Sequence, residues 1–124
     1  MNMIDDKITI KLNEESVVYD ARLDMGAIAE TQHFFKLRND FMTVPEVLKW
    51  VGKGDFMVVN ELIIQSILRC HKQLNREDII TNLKFREMPK IHEYLNLLLE
   101  KAMPAKENEN NEDEIEDIEE KQDD

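Results

Sequence analysis

The chain has 124 residues, of which 42% are hydrophobic and 6% aromatic, and its formal net charge at pH 7 is −11. This length accommodates one small domain and leaves little room for a second core. The longest aliphatic runs, such as residues 62–64 and 97–99, are too short to cross a bilayer, so we expect no membrane partner.

The negative charge is concentrated at the C-terminal end. Residues 104–124 carry eleven acidic side chains against Lys106 and Lys121, a net charge of −9, which leaves −2 for residues 1–103. From residue 107 onward the only aliphatic side chains are Ile115 and Ile118, too few to offset the chain entropy lost on folding. We therefore predict a domain over residues 1–103 and a disordered acidic tail over residues 104–124. The nearly neutral domain lacks a basic stripe, so we expect no nucleic-acid partner.

Two features bear on the cellular compartment. Asp5 and Asp6 stand where a signal peptide carries positive charge, and no apolar segment follows them, so we expect a cytoplasmic protein. Cys70 is the only cysteine and lies in an apolar helical pattern. This favours a reduced, buried thiol, with a reactive thiol as the alternative.

Two short segments near the N-terminus alternate apolar and polar side chains. Their apolar positions are Ile8, Ile10 and Leu12, then Val17, Tyr19, Ala21 and Leu23. The alternation predicts a β-hairpin with one buried face and a polar loop over residues 13–16. An isolated two-stranded hairpin is marginal in water, so this one must pack on helices or join a partner's sheet. Its open edge is therefore a predicted site of self-association.

The second strand leads directly into the first predicted helix. The Asp24 carboxylate is placed to accept hydrogen bonds from the first turn and to favour the positive end of the helix dipole. Gly26 costs stability within a helix, so its presence predicts the close approach of another backbone. Four apolar side chains follow at helical spacing and are predicted to lie against the strands: Met25, Ile28, Ala29 and Phe35.

A capping-box pattern precedes the second predicted helix. Thr43 and Glu46 have the spacing at which each side chain caps the other's backbone N–H, and Pro45 suits the first turn. These residues predict a short helix over residues 44–51. Gly52 comes directly after these residues and favours termination of the helix.

The broadest apolar stripe comes next and predicts the central, most buried helix, over residues 56–73. Its members are Val59, Leu62, Ile63, Ile67, Cys70 and Leu74. Asn75 and Asp78 predict the cap of a shorter helix, and Pro89 predicts the opening of a last helix that ends at Met103. The fold class predicted is α+β, mainly α, with an N-terminal two-stranded β-hairpin packed on four to five short helices.

No residue pattern indicates catalysis. His33, His71 and His92 lie on three separate predicted helices, and none has a second ligand at metal-binding spacing. Gly52 and Gly54 are not followed by the Lys-Ser or Lys-Thr of a phosphate-binding loop, and no nucleophile elbow is present. We therefore expect a protein that is not an enzyme and holds no metal or cofactor.

Aromatic and methionine residues cluster between residues 34 and 57. In the adjacent pairs Phe34-Phe35 and Phe41-Met42, one member can pack in the core while the other faces outward. Exposed aromatic and methionine side chains are typical of protein-binding surfaces. The predicted partner-binding residues are Phe34, Phe41, Met42, Trp50 and Phe56, with a place in the core as the alternative for each.

One run of residues resembles a known family. The hairpin, the sequence Leu-x-Met-Gly-Ala-Ile-Ala at residues 23–29 and the small helices after it resemble the tail assembly chaperones of long-tailed bacteriophages of the Gram-positive type. The resemblance covers residues 7–103 in the order of elements, with residues 41–53 as an extra segment. It implies a chaperone in the host cytoplasm that binds the tape measure protein and keeps it soluble during tube assembly. Longer, frameshifted forms in this family recruit the tail tube protein, which is the second candidate partner.

A second hypothesis starts from the charge. A small acidic regulatory protein can mimic nucleic acid and occupy a DNA-binding partner. Such a mimic needs carboxylates fixed on a folded surface, whereas most of the excess charge here lies in residues 104–124.

Overall fold

The computed structural model describes residues 6–103, so the predicted acidic tail lies outside the described residues. Within them the chain forms two strands and five α-helices. These are β1 (Lys7–Lys11), β2 (Val18–Arg22), α1 (Met25–Lys36), α2 (Val44–Gly52), α3 (Phe56–Cys70), α4 (Arg76–Ile80) and α5 (Met88–Ala102). A 3₁₀ turn at Phe85–Glu87 precedes α5 and was not predicted. The predicted class, a mainly helical fold with an N-terminal hairpin, is confirmed.

The hairpin has one buried and one exposed face. β1 and β2 pair antiparallel, with Ile10 opposite Tyr19 and Thr9 opposite Asp20. Ile10 and Tyr19 are buried, while Thr9 and Asp20 face solvent. The buried face packs on α3 and α5, which supply the cover that a two-stranded sheet cannot provide for itself.

Helix α3 is the centre of the fold, as predicted. It contacts β2 and every other α-helix, and all but one of its residues from Val58 to Ile67 are buried. The helix is therefore buried nearly all round rather than along one stripe. It ends at Cys70, not at residue 73, because His71 leaves the helical conformation and its carbonyl accepts a hydrogen bond from the Leu74 N–H.

Helix α5 closes the domain over α3 and β1. Ile91, Leu95 and Leu98 are fully buried. The Tyr94 hydroxyl accepts from the Lys11 N–H at 3.2 Å and donates to the Lys11 carbonyl at 3.3 Å, so α5 holds the end of β1.

The caps predicted for the shorter helices are confirmed. Thr43 and Glu46 form a capping box at the start of α2, and Asn75 and Asp78 form another at the start of α4. Helix α2 ends at Gly52, and the chain then turns through Gly54, whose φ of 77° is left-handed and favours glycine.

The predicted packing of α1 is wrong in part. Asp24 caps the helix as predicted, accepting from the Ala27 N–H at 2.9 Å. However, α1 rests on α3, and its buried residues are Ala27, Thr31 and Phe35, whereas Met25 and Ala29 are exposed. Since α3 already covers the inner face of the hairpin, α1 packs on α3 with a different face from the one predicted.

The close approach at Gly26 is also different from the prediction. No backbone lies against this glycine; the neighbouring atoms are those of the Arg69 guanidinium, and a Cβ at residue 26 would lie 2.6 Å from Arg69 Cζ. A side chain from α3 therefore occupies the space that the missing Cβ leaves.

Candidate partner-binding surface

Two hollows lie on either side of Met57, at the N-terminal end of α3. The first hollow, of about 280 Å³, is bounded by residues of α1, α3 and α4 and the turn after α4. It is lined by Phe34, Phe56, Met57, Asn60, Glu61, Ile64, Arg76, Ile80 and Leu83. The second hollow, of about 270 Å³, is lined by Phe35, Asp40, Met42, Trp50, Asp55, Met57 and Val58. Met57 is thus a wall common to both hollows.

The structure brings most of the predicted partner-binding residues to these hollows. Phe34 and Phe56 line the first hollow, and Met42 and Trp50 line the second. Phe41 is exposed on the segment before α2 and lines neither hollow. Four of the five predicted residues are therefore neighbours in the fold, although they come from different elements.

Met42 differs from the expectation of an exposed residue. Its side chain is only 7% exposed and packs in the core, and its carbonyl accepts from Gln32 Nε2 at 3.0 Å. Phe35 is likewise buried, whereas Phe34 is half-buried and Phe41 is exposed. In both of the pairs for which this was predicted, Phe34-Phe35 and Phe41-Met42, one member packs inside and the other is more exposed.

Several lining residues were not among the predicted partner-binding residues. Met57 is half-exposed between the hollows, and Ile80 and Leu83 reach the first hollow from α4 and the turn after it. Ile80 and Leu83 follow the buried Ile79 in an apolar pattern. A helix as short as α4 cannot turn all of its apolar side chains inward. The run of apolar residues on so short a helix was therefore the feature of the sequence that could have predicted these lining residues.

Two guanidinium groups lie against Phe34, at the first hollow. Arg38 Cζ is 3.6 Å and Arg76 Cζ is 4.5 Å from the centre of the Phe34 ring. Arg38 Nη1 also donates to the Phe34 carbonyl at 3.0 Å. Such contacts combine cation–π attraction with shielding of the aromatic ring.

A buried carboxylate balances one of these arginines. Glu61 is 2% exposed and accepts from Arg76 Nε at 3.1 Å, from Arg76 Nη2, and from Gln65 Nε2 at 2.8 Å. Arg38, by contrast, forms no ion pair with a carboxylate of residues 6–103. Arg38 does not line the first hollow, but it lies against Phe34, which does. A positive charge that residues 6–103 leave unbalanced therefore lies beside this hollow.

The second hollow carries carboxylates. Asp55 Oδ1 accepts from the Val58 N–H at 3.1 Å and so caps α3. Asp40 lies in the turn after α1, where its N–H donates to the Phe35 carbonyl at 2.9 Å. Lys49 lies near this hollow, with its Nζ 5.8 Å from the centre of the Trp50 ring. Charges of opposite sign thus lie at the two hollows, Arg38 beside the first and the two aspartates in the second.

The histidines and the cysteine make separate contacts. His71 Nε2 accepts from the Asp20 N–H at 3.0 Å, and His92 Nε2 lies 3.2 Å from the Val51 carbonyl oxygen. His71 is the C-cap of α3, so its predicted place within a helix is wrong. Cys70 is half-buried, not buried as predicted, and its partial burial raises the pKa of the thiol, which favours the protonated form.

Residues 6–103 contain neither a metal-binding cluster nor a membrane-spanning helix. No group of three or more His, Cys, Asp or Glu side chains in this part of the chain is arranged to hold a metal ion. No helix in it has the length and apolar character needed to cross a membrane.

On each edge of the hairpin, a side chain from outside the sheet forms hydrogen bonds with the backbone of one residue. The Tyr94 hydroxyl bonds to the N–H and carbonyl of Lys11 on β1, and His71 Nε2 accepts from the Asp20 N–H on β2. Pairing with a second copy along either edge would have to replace these hydrogen bonds. Self-association through the hairpin edge stays a prediction.

The resemblance stated above concerns residues 7–103, and the hollows lie within that range. Comparison of the whole chain with models of known protein families, with curated proteins and with solved structures finds no match.

Proposed function

We propose that this protein is a tail assembly chaperone of a long-tailed bacteriophage. In this role it binds the tape measure protein in the host cytoplasm and keeps it soluble while tail tube subunits polymerise around it. The role is non-catalytic and needs no metal or cofactor. Support comes from the resemblance at residues 23–29 and from the surface formed by Phe34, Trp50 and Phe56.

The observation that carries the proposal is the pair of adjacent hollows around Met57. The resemblance implies a client that is long and rich in helices, whose apolar faces would aggregate before assembly. Apolar side chains of such a helix would leave water on entering the hollows, which stabilises the complex by about 25 cal/mol per Å² of apolar surface buried. Phe56 and Met57, both half-exposed, would lose their own contact with water in the same step.

Co-expression with the tape measure protein tests this function. The parent chain should raise the soluble fraction of the tape measure protein and co-purify with it. Phe56→Ser and Trp50→Ser, one at each hollow, should each weaken binding by about 1 to 3 kcal/mol, as truncations at the centre of an interface do.

Phe85→Ser is the matched control. Phe85 is 84% exposed and lines neither hollow, so its replacement removes an exposed aromatic ring elsewhere and should leave binding unchanged. Equal binding by the parent and the two hollow variants would show that the surface is not the site. Failure of the parent to bind or solubilise the tape measure protein would refute the function itself.

The dependence of binding on salt concentration distinguishes the acidic-mimic hypothesis from this function. Binding through the apolar hollows should weaken only modestly between low and high ionic strength, because few charge pairs contribute to it. A mimic of nucleic acid acts through carboxylates, so its complex with a DNA-binding partner would weaken steeply as salt is added. Eleven of the 27 acidic residues lie in residues 104–124, outside the described part of the chain.

A further inference from the structure

We infer that the surface around Met57 is built for an amphipathic helix that carries an acidic residue at one end of its apolar face and a basic residue at the other. The acidic end would lie over the first hollow, beside Arg38, and the basic end over the second hollow, beside Asp40 and Asp55. That the helix belongs to a tape measure protein rests on the proposed function; the charge pattern follows from the surface alone.

The positive end of the surface depends on Arg38. The charge of Arg76 is matched by Glu61, which is buried and bound to it by two hydrogen bonds. Arg38 has no such partner within residues 6–103, and its guanidinium is held in place by the Phe34 ring and the Phe34 carbonyl. A guanidinium has five N–H donors, so Arg38 keeps donors for an incoming carboxylate and has already lost much of its rotational freedom.

The negative end depends on Asp40 and Asp55. Asp55 uses Oδ1 to cap α3, and no donor within residues 6–103 bonds to its Oδ2. Asp40 forms no ion pair within the same residues. Lys49 offsets part of this charge from its position near Trp50, which leaves the two aspartates in excess. A cation arriving at the second hollow therefore meets complementary charge.

A helix fits this arrangement better than a strand. A helix presents side chains three and four residues apart on one face, so neighbouring apolar groups can enter both hollows across the shared wall of Met57. Successive side chains of a strand point to opposite faces. Opposite charges at the two ends then orient the helix, since turning it round would place like charges together at both hollows.

Isothermal titration calorimetry with three synthetic helical peptides tests the inference. Each peptide has about 20 residues, and all three have the same apolar face. One peptide has glutamates at both ends, one has lysines at both ends, and one has glutamates at one end and lysines at the other. The mixed peptide should bind the full chain about tenfold more tightly than either uniform peptide. The charges set the direction in which a mixed peptide binds, with its glutamates at the first hollow, whichever end of the peptide carries them.

Charge variants of the protein should change this ranking. With Arg38→Glu the peptide with lysines at both ends should bind best, and with Asp40→Lys the peptide with glutamates at both ends should bind best. Arg38→Gln removes the charge without adding repulsion and should make the mixed and all-lysine peptides about equal. Arg86→Glu is the matched control, because Arg86 is exposed and pairs with Glu87, and neither residue lines a hollow. It should leave the ranking unchanged.

Equal affinities for the three peptides, or a ranking unaffected by the Arg38 and Asp40 variants, would overturn the inference. This result is distinguishable from failure of the proposed function. If the parent still solubilises the tape measure protein, the function stands and only the charge pattern is wrong. If the peptides rank as expected but the tape measure protein does not bind, the surface recognises helices of another client.

Discussion

Arg69 and Asp24 join the C-terminal end of α3 to the N-terminal end of α1. Arg69 Nε lies 2.9 Å from Oδ1 and 3.1 Å from Oδ2 of the Asp24 carboxylate, and the same Oδ1 accepts from the Ala27 N–H. The guanidinium lies over Gly26, where a Cβ would come within 2.6 Å of Arg69 Cζ. The glycine of the run at residues 23–29 therefore makes room for a contact between two helices.

A double-mutant cycle tests this role of Gly26. Arg69→Ala should cost about 0.5 to 1 kcal/mol in the parent, because the pair is partly exposed and screened. In the Gly26→Ala background the same change should cost almost nothing, because the new methyl group has already displaced the guanidinium. Gly52→Ala is the control background, since a Cβ there meets nothing within 4 Å. Urea denaturation measures all six proteins, and an equal cost of Arg69→Ala in every background would disprove the steric role.

The pH dependence of stability should report on Asp24. Burial raises the pKa of its carboxyl, but the hydrogen bond from the Ala27 N–H and the nearby Arg69 lower it by more, so the pKa lies below its ordinary value of 3.8. A lowered pKa in the folded state stabilises the protein above the unfolded-state value, and this stabilisation is lost as the pH falls through the folded-state pKa.

Asp24→Asn isolates that contribution, because asparagine still caps a helix but carries no charge. The parent should be more stable than the variant by a constant amount between about pH 5 and 8, and the difference should shrink below about pH 4. Thermal melting of both proteins across this range measures it. A difference that persists unchanged at the lowest pH would show that the charge of Asp24 contributes nothing.

Two adjacent leucines in α5 should differ sharply in their effect on stability. Leu98 is fully buried, whereas Leu97 is 47% exposed. Leu98→Ala should cost about 2 to 5 kcal/mol, because it removes buried methyl groups and leaves a cavity. Leu97→Ala should cost less than about 1 kcal/mol. Equal losses in chemical denaturation would mean that α5 is rotated about its axis relative to the structure.

The Tyr94 hydroxyl should protect one end of β1. Tyr94→Phe removes both hydrogen bonds to the Lys11 backbone and should cost about 1 kcal/mol. Hydrogen exchange of the Lys11 amide should become faster. The Asp20 amide is the internal control. It lies on β2, donates its hydrogen bond to His71 Nε2, and should exchange at its former rate. A uniform acceleration of both amides would indicate general destabilisation instead of a local contact.

The buried Glu61 should make Arg76 important for stability. Arg76→Met leaves the carboxylate buried without its cation and should lower the free energy of unfolding by about 2 to 3 kcal/mol. This loss is smaller than that for a fully buried pair, because the Arg76 side chain is 34% exposed. Adding Glu61→Gln removes the unbalanced charge and should recover part of the loss. Denaturant midpoints of the two single variants and the double variant measure the effect. No recovery in the double variant would show that Arg76 acts by packing on Phe34 and not by charge.

The sequence alone was sufficient for the features that depend on neighbours along the chain. Asp24, Thr43 and Asn75 cap the helices they were predicted to cap, because a cap involves residues only three or four positions apart. The alternation in the hairpin identified the buried face of the sheet except at Val17, which is 65% exposed, and the apolar length of α3 identified the central helix. Their physical causes are local.

The tertiary structure alone decided which partners those elements meet. Arg69 lies 45 positions from Asp24 in the chain, so no spacing rule could place its guanidinium over Gly26. The burial of Met42, the exposure of Phe41 and the opposite charges of the two hollows depend in the same way on how α1, α2 and α4 pack around α3. Burial and electrostatic environment are properties of the assembled surface, because each depends on atoms that only folding brings together.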